Sequence, residues 1–266
     1  MCINRRGDEA AAPGLDRNGY AGVPSMAGVG VFVELVVCCR GEADATTGYF
    51  LDIKVIDRAV REAALPVLEH AILSGQPDDP VAVLHALMPP LNDALGGVLS
   101  SVRWNLTPFY SVEATMSDTQ AVRPKALIRQ RFEFAAAHRL HAAGLSDAQN
   151  AEMFGKCNHI NGHGHNYVFE PAVEVEAGAA FNVQALERVA DTVIMARFDH
   201  KFLNLDCPEF RQPAHPGDPA TGVNPSVENI ARVMYDLLAP HISAHGGALR
   251  SIRVWETEKT SAEYPA

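Results

Sequence analysis

Residues 154–167 read Phe-Gly-Lys-Cys-Asn-His-Ile-Asn-Gly-His-Gly-His-Asn-Tyr, which places one cysteine and three histidines within fourteen residues. The last two histidines, His163 and His165, lie two positions apart. In a β-strand, residues two apart project from the same face and are separated by about 6.5–7 Å along the chain. Two imidazoles at that separation can converge on one metal ion, with Gly164 leaving room between them. The stretch therefore predicts a strand with a metal site on one face, although an isolated pair of this kind is also typical of an exposed polar surface.

His138 is the best candidate for a third ligand, because it ends a strand pattern in which Phe132 and Phe134 alternate with charged residues. Three neutral histidines with an open fourth position form a catalytic rather than a structural zinc geometry. Cys157, shortly before the paired histidines, is either a fourth ligand that closes the site or a reactive thiol beside it. Lys156 directly precedes it, and a neighbouring cation favours the thiolate form. Because Cys157 sits in a turn rich in Gly and Asn, we favour the reactive thiol.

Other charged residues are candidates for the same site. Asp199-His200 ends a predicted helix, and a carboxylate beside a histidine can set its tautomer and raise its basicity. Glu256 lies in an otherwise apolar strand, where an inward carboxylate is unfavourable unless it binds a ligand. A carboxylate is the natural partner of a 2-amino-pyrimidinone edge, which offers two adjacent N–H donors. Glu228 opens a second helix, where the helix dipole alone would favour an acidic residue.

The composition is that of a globular protein, since 47% of the 266 residues are hydrophobic and 20% are charged. A net charge of −10 argues against a nucleic-acid binder but allows an anionic small substrate held by a few local cations. The odd number of cysteines, five, lacks the spacing of a disulfide framework, so we expect a reducing compartment and a cytoplasmic protein. No apolar run reaches the ~18 residues of a membrane span, so we expect no membrane partner. Residues 1–27, rich in Gly, Pro and Ala, are expected to form a disordered tail.

Beyond this tail, strand and helix patterns follow one another in two successive passes, which predicts an α+β fold. The first pass has a strand at 29–39, helices from about 52 and about 80, and strands at 99–106 and 109–114. Pro66 is expected to end or kink the first helix, and Pro89-Pro90 to disturb the end of the second. The second pass has strands around Phe132 and Val173, helices at 183–197 and 227–238, and strands at 252–254 and 262–264.

The two passes carry matching residues at constant offsets, so we infer a duplicated module rather than chance likeness between two α+β halves. The matches pair Gly48, Asp52, Glu69, His70 and Leu73 with Gly178, Asn182, Asp199, His200 and Leu203, and residues 96–103 with residues 246–253. We expect a degenerate module without a metal site at 28–116, a linker at 117–125 and a complete catalytic module at 126–266. The second copy alone contains the paired histidines.

The motifs of the second copy resemble the 6-pyruvoyl tetrahydropterin synthase family, which includes the bacterial 6-carboxytetrahydropterin synthase. The resemblance covers residues 126–264 and rests on Phe134-Ala135-Ala136-Ala137-His138-Arg139-Leu140, Gly155-Lys156-Cys157-Asn158, Asn161-Gly162-His163-Gly164-His165-Asn166-Tyr167, Asp199-His200, Val227-Glu228-Asn229 and Glu256-Thr257. It implies two tandem modules of the tunnelling fold, each an antiparallel sheet with two helices on one face. It also implies a homo-oligomer in which strands of several modules close a barrel.

The resemblance further implies zinc as the cofactor and 7,8-dihydroneopterin triphosphate as the substrate. The implied metal ligands are His138, His163 and His165; the general base is Cys157; the proton relay is Asp199 with His200; and the substrate contacts are Glu256 for the pterin, Glu228, and Arg139 and Lys156 for the triphosphate. With zinc as Lewis acid, a thiolate removes a carbon-bound proton and triphosphate leaves. Tautomerisation then gives the 6-pyruvoyl product of tetrahydrobiopterin biosynthesis. Arg139 or Lys156 could instead be an ordinary surface residue.

Two features of the motif bear on the product. Five residues separate Cys157 from His163, as in the pyruvoyl enzymes, whereas the 6-carboxy enzymes of queuosine biosynthesis, which share the substrate, often have a shorter gap. His159-Ile160 stands where the pyruvoyl enzymes commonly carry Asn-Pro, and whether His159 binds the metal is left open. Two other classes remain as alternatives: a non-catalytic pterin- or purine-binding protein of the same fold, and a protein with a structural zinc.

The first copy has no equivalent of the paired histidines or the cysteine, and it has Leu106 in place of Glu256. It nevertheless keeps Glu69-His70 at the relay position. The resemblance implies that the acidic residue and histidine of the relay come from a neighbouring subunit. Glu69-His70 is therefore either a relay that serves Cys157 in trans or a remnant without function.

Overall fold

The protein is described from a computed structural model that covers residues 1–4, 29–74, 79–211 and 221–265. The chain divides into two compact units, one of Met1–Ile128 with Glu176–Ala179 and the other of Arg129–Val175 with Ala180–Ala266. Most of the predicted tail lies outside the described residues. Its first residues form strand β1 (Cys2–Asn4), which pairs antiparallel with β2 (Gly30–Phe32).

Antiparallel strands and helices that pack on them form the first unit. Its next elements are β3 (Glu34–Cys39), α1 (Ile53–Ala59), a π-helical turn (Val60–Ala64), α2 (Leu65–Leu73), α3 (Pro80–Ala94), β4 (Leu99–Asn105) and β5 (Tyr110–Thr115). Strand β4 pairs with both β3 and β5. Helix α3 packs on β4 and β5 and on α2, and its Leu84, Leu87 and Met88 are fully buried. Burial of these side chains supplies most of the driving force that holds the helix on the strands.

The prolines change these helices less than the sequence suggests. Pro66 lies in the first turn of α2, directly after the π-helical turn. The helical hydrogen-bonding pattern therefore changes just before Pro66, but the chain stays helical. Pro89 and Pro90 lie inside α3, which runs on past them. The helix survives because Leu87 and Leu91, on either side of the two prolines, stay buried and keep its apolar face packed.

The predicted linker at 117–125 contains regular structure. It includes most of the short helix α4 (Met116–Thr119) and the start of β6 (Lys125–Gln130). Helix α4 begins with a capping box, in which the Asp118 amide donates to the Thr115 hydroxyl and the Thr115 amide donates to the Asp118 carboxylate.

A mixed sheet with helices forms the second unit. Its elements are β7 (Phe132–His138), α5 (Asp147–Phe154), a 3-10 helix (Gly155–Asn158), β8 (His163–Glu176), α6 (Val183–Ala190), a π-helical turn (Asp191–Met195), α7 (Ala196–Phe198), β9 (Lys201–Phe202), α8 (Leu203–Asp206), a second 3-10 helix (Pro208–Phe210), α9 (Val227–Ala244), β10 (Ala248–Thr257) and β11 (Thr260–Tyr264). Strand β8 pairs antiparallel with β7 and β10, and β10 with β11, while β9 adds a short parallel pair to β7. The predicted α+β class is confirmed.

Helix α9 is the amphipathic helix expected from the sequence. It begins after Ser226, whose hydroxyl accepts a hydrogen bond from the Asn229 amide, and it packs on β10 and β11. Ile230, Met234 and Leu238 are buried along its apolar face. In the described parts of the chain, no helix is both long and apolar enough to cross a membrane.

Candidate active site

The paired strands β7 and β8 bring three histidines together. In their register His138 lies opposite His163, and His165 lies two residues further along β8 on the same face. One ring nitrogen from each histidine lies within 4.8 Å of the others. His138 is fully buried, and the other two imidazoles are partly buried. The predicted ligand set therefore forms a cluster, and it is built by the cross-strand register rather than by the local motif alone.

The cluster fits a tetrahedral metal ion. Nε2 of His138 lies 3.1 Å from Nε2 of His163. Two nitrogens bound to one zinc at about 2.0–2.1 Å would lie about 3.3 Å apart. Nδ1 of His138 lies 2.8 Å from the carbonyl oxygen of Pro225, to which it donates, so Nε2 carries the lone pair. Nε2 of His165 is buried and has no hydrogen-bond partner among the described residues.

The electrostatics of the cluster keep two of the imidazoles neutral. Burial lowers the pKa of His163 first of all, and His138 and His165 lower it further. Burial likewise lowers the pKa of His165, although the carboxylate of Glu256 opposes that shift. A neutral imidazole is the form that binds a metal, so the site is prepared for a cation near neutral pH.

Glu256 reaches the histidine cluster from β10. Its Oε1 lies 3.2 Å from Nε2 of His138 and 3.7 Å from Nε2 of His165. The contact with His138 lowers the pKa of Glu256 more than burial raises it, so the side chain is a carboxylate. A metal bound at Nε2 of His138 would exclude a hydrogen bond from that nitrogen to the carboxylate. The predicted inward orientation of Glu256 agrees with this placement.

The turn that carries Cys157 is held by Arg139. The guanidinium donates from Nε to the Asn158 carbonyl at 3.0 Å and from Nη2 to Oδ1 of Asn158 at 3.0 Å. The Leu140 amide donates to the Cys157 carbonyl at 2.9 Å. Nδ1 of His141 lies 3.2 Å from Nη2 of the same guanidinium. Cys157 itself is half-buried and does not belong to the three-histidine cluster.

A groove of about 480 Å³ opens beside this turn. Its lining consists of Gly155, Lys156, Asn158, His159, Gly162 and His163. The exposed His159 accepts at Nδ1 from the Asn161 amide at 3.3 Å and lies outside the ligand cluster. Lys156 is exposed at the groove. The groove thus adjoins one histidine of the cluster and offers a cation beside it.

Asp199 and His200 form a pair at the surface. Oδ1 of Asp199 accepts from the Ala135 amide at 3.0 Å and lies 2.9 Å from Nδ1 of His200. The Ala135 amide, followed by His200, lowers the pKa of Asp199. The side chain of His200 is 81% exposed, and its backbone is left-handed with φ +57°. Among the described residues, no hydrogen bond joins this pair to Cys157.

Two residues of the opening stretch have roles that the sequence did not reveal. Gly162 has φ +67°, and a Cβ there would lie 2.7 Å from the His138 carbonyl oxygen, so only glycine fits. By contrast, a Cβ at Gly164 would make only an ordinary 3.7 Å contact, so the prediction that Gly164 leaves room for the ligands is wrong. Tyr167 is fully buried beside His138 and His165, and its hydroxyl has no partner among the described residues.

The remaining candidates lie apart from the cluster. Glu228 is exposed in the first turn of α9, where the helix dipole favours it. Glu69 and the exposed His70 lie within α2, whereas their sequence counterparts Asp199-His200 follow the end of α7. Within the described residues, the only cluster of metal-ligand side chains is the three-histidine one.

Comparisons with known proteins agree with this site. A family model described as "6-pyruvoyl tetrahydropterin synthase" matches residues 127–266. A "6-pyruvoyl tetrahydrobiopterin synthase" of Drosophila melanogaster is 36% identical over 53% of this chain and 80% of that protein. The Homo sapiens protein of the same name is 34% identical over 53% of this chain and 92% of that protein. The solved structure of Caenorhabditis elegans 6-pyruvoyl tetrahydropterin synthase is 31% identical, covers 54% of this chain and 98% of that one, and gives a TM-score of 0.45.

The family match spans more than half of the chain and contains all three histidines of the cluster together with Cys157. The curated relatives are matched over most of their own length. The chain therefore belongs to the 6-pyruvoyl tetrahydropterin synthase family, a family of lyases.

Proposed function

We propose that the protein is a zinc-dependent lyase that converts 7,8-dihydroneopterin triphosphate into 6-pyruvoyl-tetrahydropterin and triphosphate. The observation that carries the proposal is the convergence of three histidines, one of which lines the same groove as the turn that carries the half-buried, free thiol of Cys157. The names of the curated relatives support the same reaction. We also propose a cytoplasmic location, on the odd number of cysteines.

The metal and the thiol have separate roles in this proposal. Zinc held by His138, His163 and His165 would act as a Lewis acid that acidifies the hydroxyls of the substrate side chain and their carbons. Cys157, as the thiolate, accepts a carbon-bound proton from that side chain. The C–O bond to the triphosphate breaks, triphosphate leaves with the bonding electrons, and tautomerisation produces the carbonyl groups of the product.

The substrate contacts follow from the charges around the cluster. We propose that Glu256 accepts from the two N–H donors of the pterin edge, since its carboxylate is ionised and points inward. The groove that contains Lys156 takes the triphosphate. The guanidinium of Arg139 already donates two hydrogen bonds to Asn158. We therefore propose that its main role is to position the turn that carries Cys157. Glu228 remains a candidate substrate contact.

The proton relay is proposed to act between chains. His200 is exposed, and no described hydrogen bond joins the Asp199-His200 pair to Cys157 of the same chain. Both observations support a relay in which the pair serves Cys157 of another subunit. The protein would accordingly be a homo-oligomer, as the family resemblance implies. Glu69-His70 of the first unit is the alternative relay, and comparing His70→Ala with His200→Ala decides between the two pairs.

We also propose that residues 28–116, in the first unit, are a degenerate copy of residues 126–266, most of which belong to the second unit. In both units a strand, two helical segments and an antiparallel hairpin follow in the same order. The central strand of each has its register shift at matching residues, Ser100 and Arg250. One hairpin pairs Arg103 with Glu113, and the other pairs Arg253 with Glu263 at the same offset. These structural correspondences support the duplication that the sequence matches predict.

The proposal is tested by incubating the zinc-loaded protein with 7,8-dihydroneopterin triphosphate and identifying the pterin by mass. A 6-pyruvoyl product is expected, and the Cys157→Ala protein should form none. Release of acetaldehyde with a 6-carboxy product would instead identify the protein as a 6-carboxytetrahydropterin synthase. Binding of the substrate without turnover would identify a pterin-binding protein, and a zinc site with four protein ligands and no exchangeable position would identify a structural zinc.

A further inference from the structure

Tyr167 lies on the same side of β8 as two metal ligands. His163, His165 and Tyr167 alternate along the strand, so their side chains project from one face. The ring of Tyr167 stacks on Phe134 with a centroid distance of 5.1 Å. It lies edge-on to the rings of His138 at 5.9 Å and His165 at 5.5 Å. These contacts fix the ring, and the position of the hydroxyl group is fixed with it.

The hydroxyl group of Tyr167 has no structural use within the described part of the chain. The residue is fully buried, and its oxygen has no hydrogen-bond partner among the described residues. Burying a hydroxyl group without a partner is unfavourable, and phenylalanine would fill the same volume without that cost. A ligand that brings an acceptor atom would remove the penalty.

The surroundings of the hydroxyl group indicate where such an acceptor would lie. A phenol hydroxyl group is neutral at neutral pH and can donate a hydrogen bond. Glu256, the proposed pterin anchor, contacts the same two histidines as Tyr167, with its Oε1 3.2 Å from Nε2 of His138 and 3.7 Å from Nε2 of His165. Glu256 can only accept hydrogen bonds as a carboxylate, so a nearby substrate oxygen that accepts a hydrogen bond needs a different donor.

We infer that Tyr167 is a substrate-binding residue whose hydroxyl group donates a hydrogen bond to an oxygen of the hydroxylated side chain of a pterin. The inference rests on the proposed function and assigns a contact to this residue that the sequence pattern did not. The hydrogen bond holds the side chain beside the histidine cluster.

Tyr167→Phe tests the inference, with Tyr235→Phe as a matched control. Tyr235 loses a hydroxyl group that donates to the Leu249 carbonyl at 3.3 Å, away from the histidine cluster. Binding of neopterin, which carries the hydroxylated side chain, and of unsubstituted pterin is measured by fluorescence on each zinc-loaded protein. We expect Tyr167→Phe to weaken neopterin binding about 3- to 10-fold, as for the loss of one hydrogen bond, and to change pterin binding less than about twofold. The control should bind both like the wild type.

Three results would overturn the inference: unchanged neopterin binding by Tyr167→Phe, equal weakening for neopterin and pterin, or a lower Tm of the ligand-free variant. The last would show that the hydroxyl group of Tyr167 has a structural partner. An unchanged or higher Tm, with unchanged zinc content, supports a role reserved for the ligand. If the wild-type protein binds neither compound, the proposed function itself fails, and that outcome is distinct from a failure of Tyr167 alone.

Discussion

Substitution of Gly162 by alanine tests how the site is built. At φ +67° an alanine costs about 1 kcal/mol in backbone strain. Its Cβ would also meet the His138 carbonyl oxygen at 2.7 Å and the Phe202 ring at 2.8 Å. Because a backbone carbonyl cannot move without shifting β7, we add about 2 kcal/mol for overpacking. The total of about 3 kcal/mol should lower Tm by roughly 6–12 °C in differential scanning calorimetry.

Gly246→Ala is the matched control, because it has a similar φ of +89° but open space around the added Cβ. It should cost only the backbone strain, about 1 kcal/mol, or roughly 2–4 °C. Gly162→Ala should also weaken zinc binding about tenfold or more, since the shift displaces His138 and the adjoining His163. Equal losses of Tm in the two variants, with equal zinc content, would refute the steric argument.

Three further predictions concern side chains of known position. Cys157→Ala should abolish turnover but retain zinc in metal analysis, because the thiol is not in the histidine cluster. Loss of zinc from this variant would show that Cys157 is a ligand. His200→Ala should lower kcat about 10²-fold or more, as expected for a lost proton-transfer group, and His70→Ala should not; the reverse pattern would place the relay in the first unit. Burial raises the pKa of Cys207 to about 11, so at pH 8 only ~10⁻³ of it is thiolate and its alkylation should rise about tenfold per pH unit. Peptide mass spectrometry should find the exposed Cys38 alkylated first, and equal rates at pH 8 would contradict the burial argument.

Strand periodicity was enough to predict which three histidines cluster. His163 and His165 lie on β8 as the alternation indicated, and His138 ends β7 as the pattern of Phe132 and Phe134 indicated. Period-two alternation decides which side chains share a face, and this information is local. The amphipathic pattern of α9 was equally informative, for the same reason.

The partners of the site residues could not be predicted, because they come from distant parts of the chain. Arg139 follows His138 in sequence, yet its guanidinium is held by Asn158, nineteen residues later. The tautomer of His138 depends on the carbonyl of Pro225, in the segment before α9. Whether Arg139 also reaches a phosphate stays a prediction.

The prolines and glycines show a second limit. Local propensity predicted that Pro89-Pro90 would disturb α3, but tertiary packing of Leu87 and Leu91 keeps the helix intact. The sequence also drew attention to Gly164, between the ligands, whereas the close backbone approach occurs at Gly162. Such an approach depends on the path of a neighbouring strand and leaves no local signal.

The most direct measurement is a zinc titration of the metal-stripped protein with 7,8-dihydroneopterin triphosphate as substrate. The rate of triphosphate release should rise with bound zinc and level off at one ion per chain, because the described residues contain one cluster of ligands. A rate that is independent of zinc, or a protein that binds zinc at this cluster and releases no triphosphate, would contradict the proposed function.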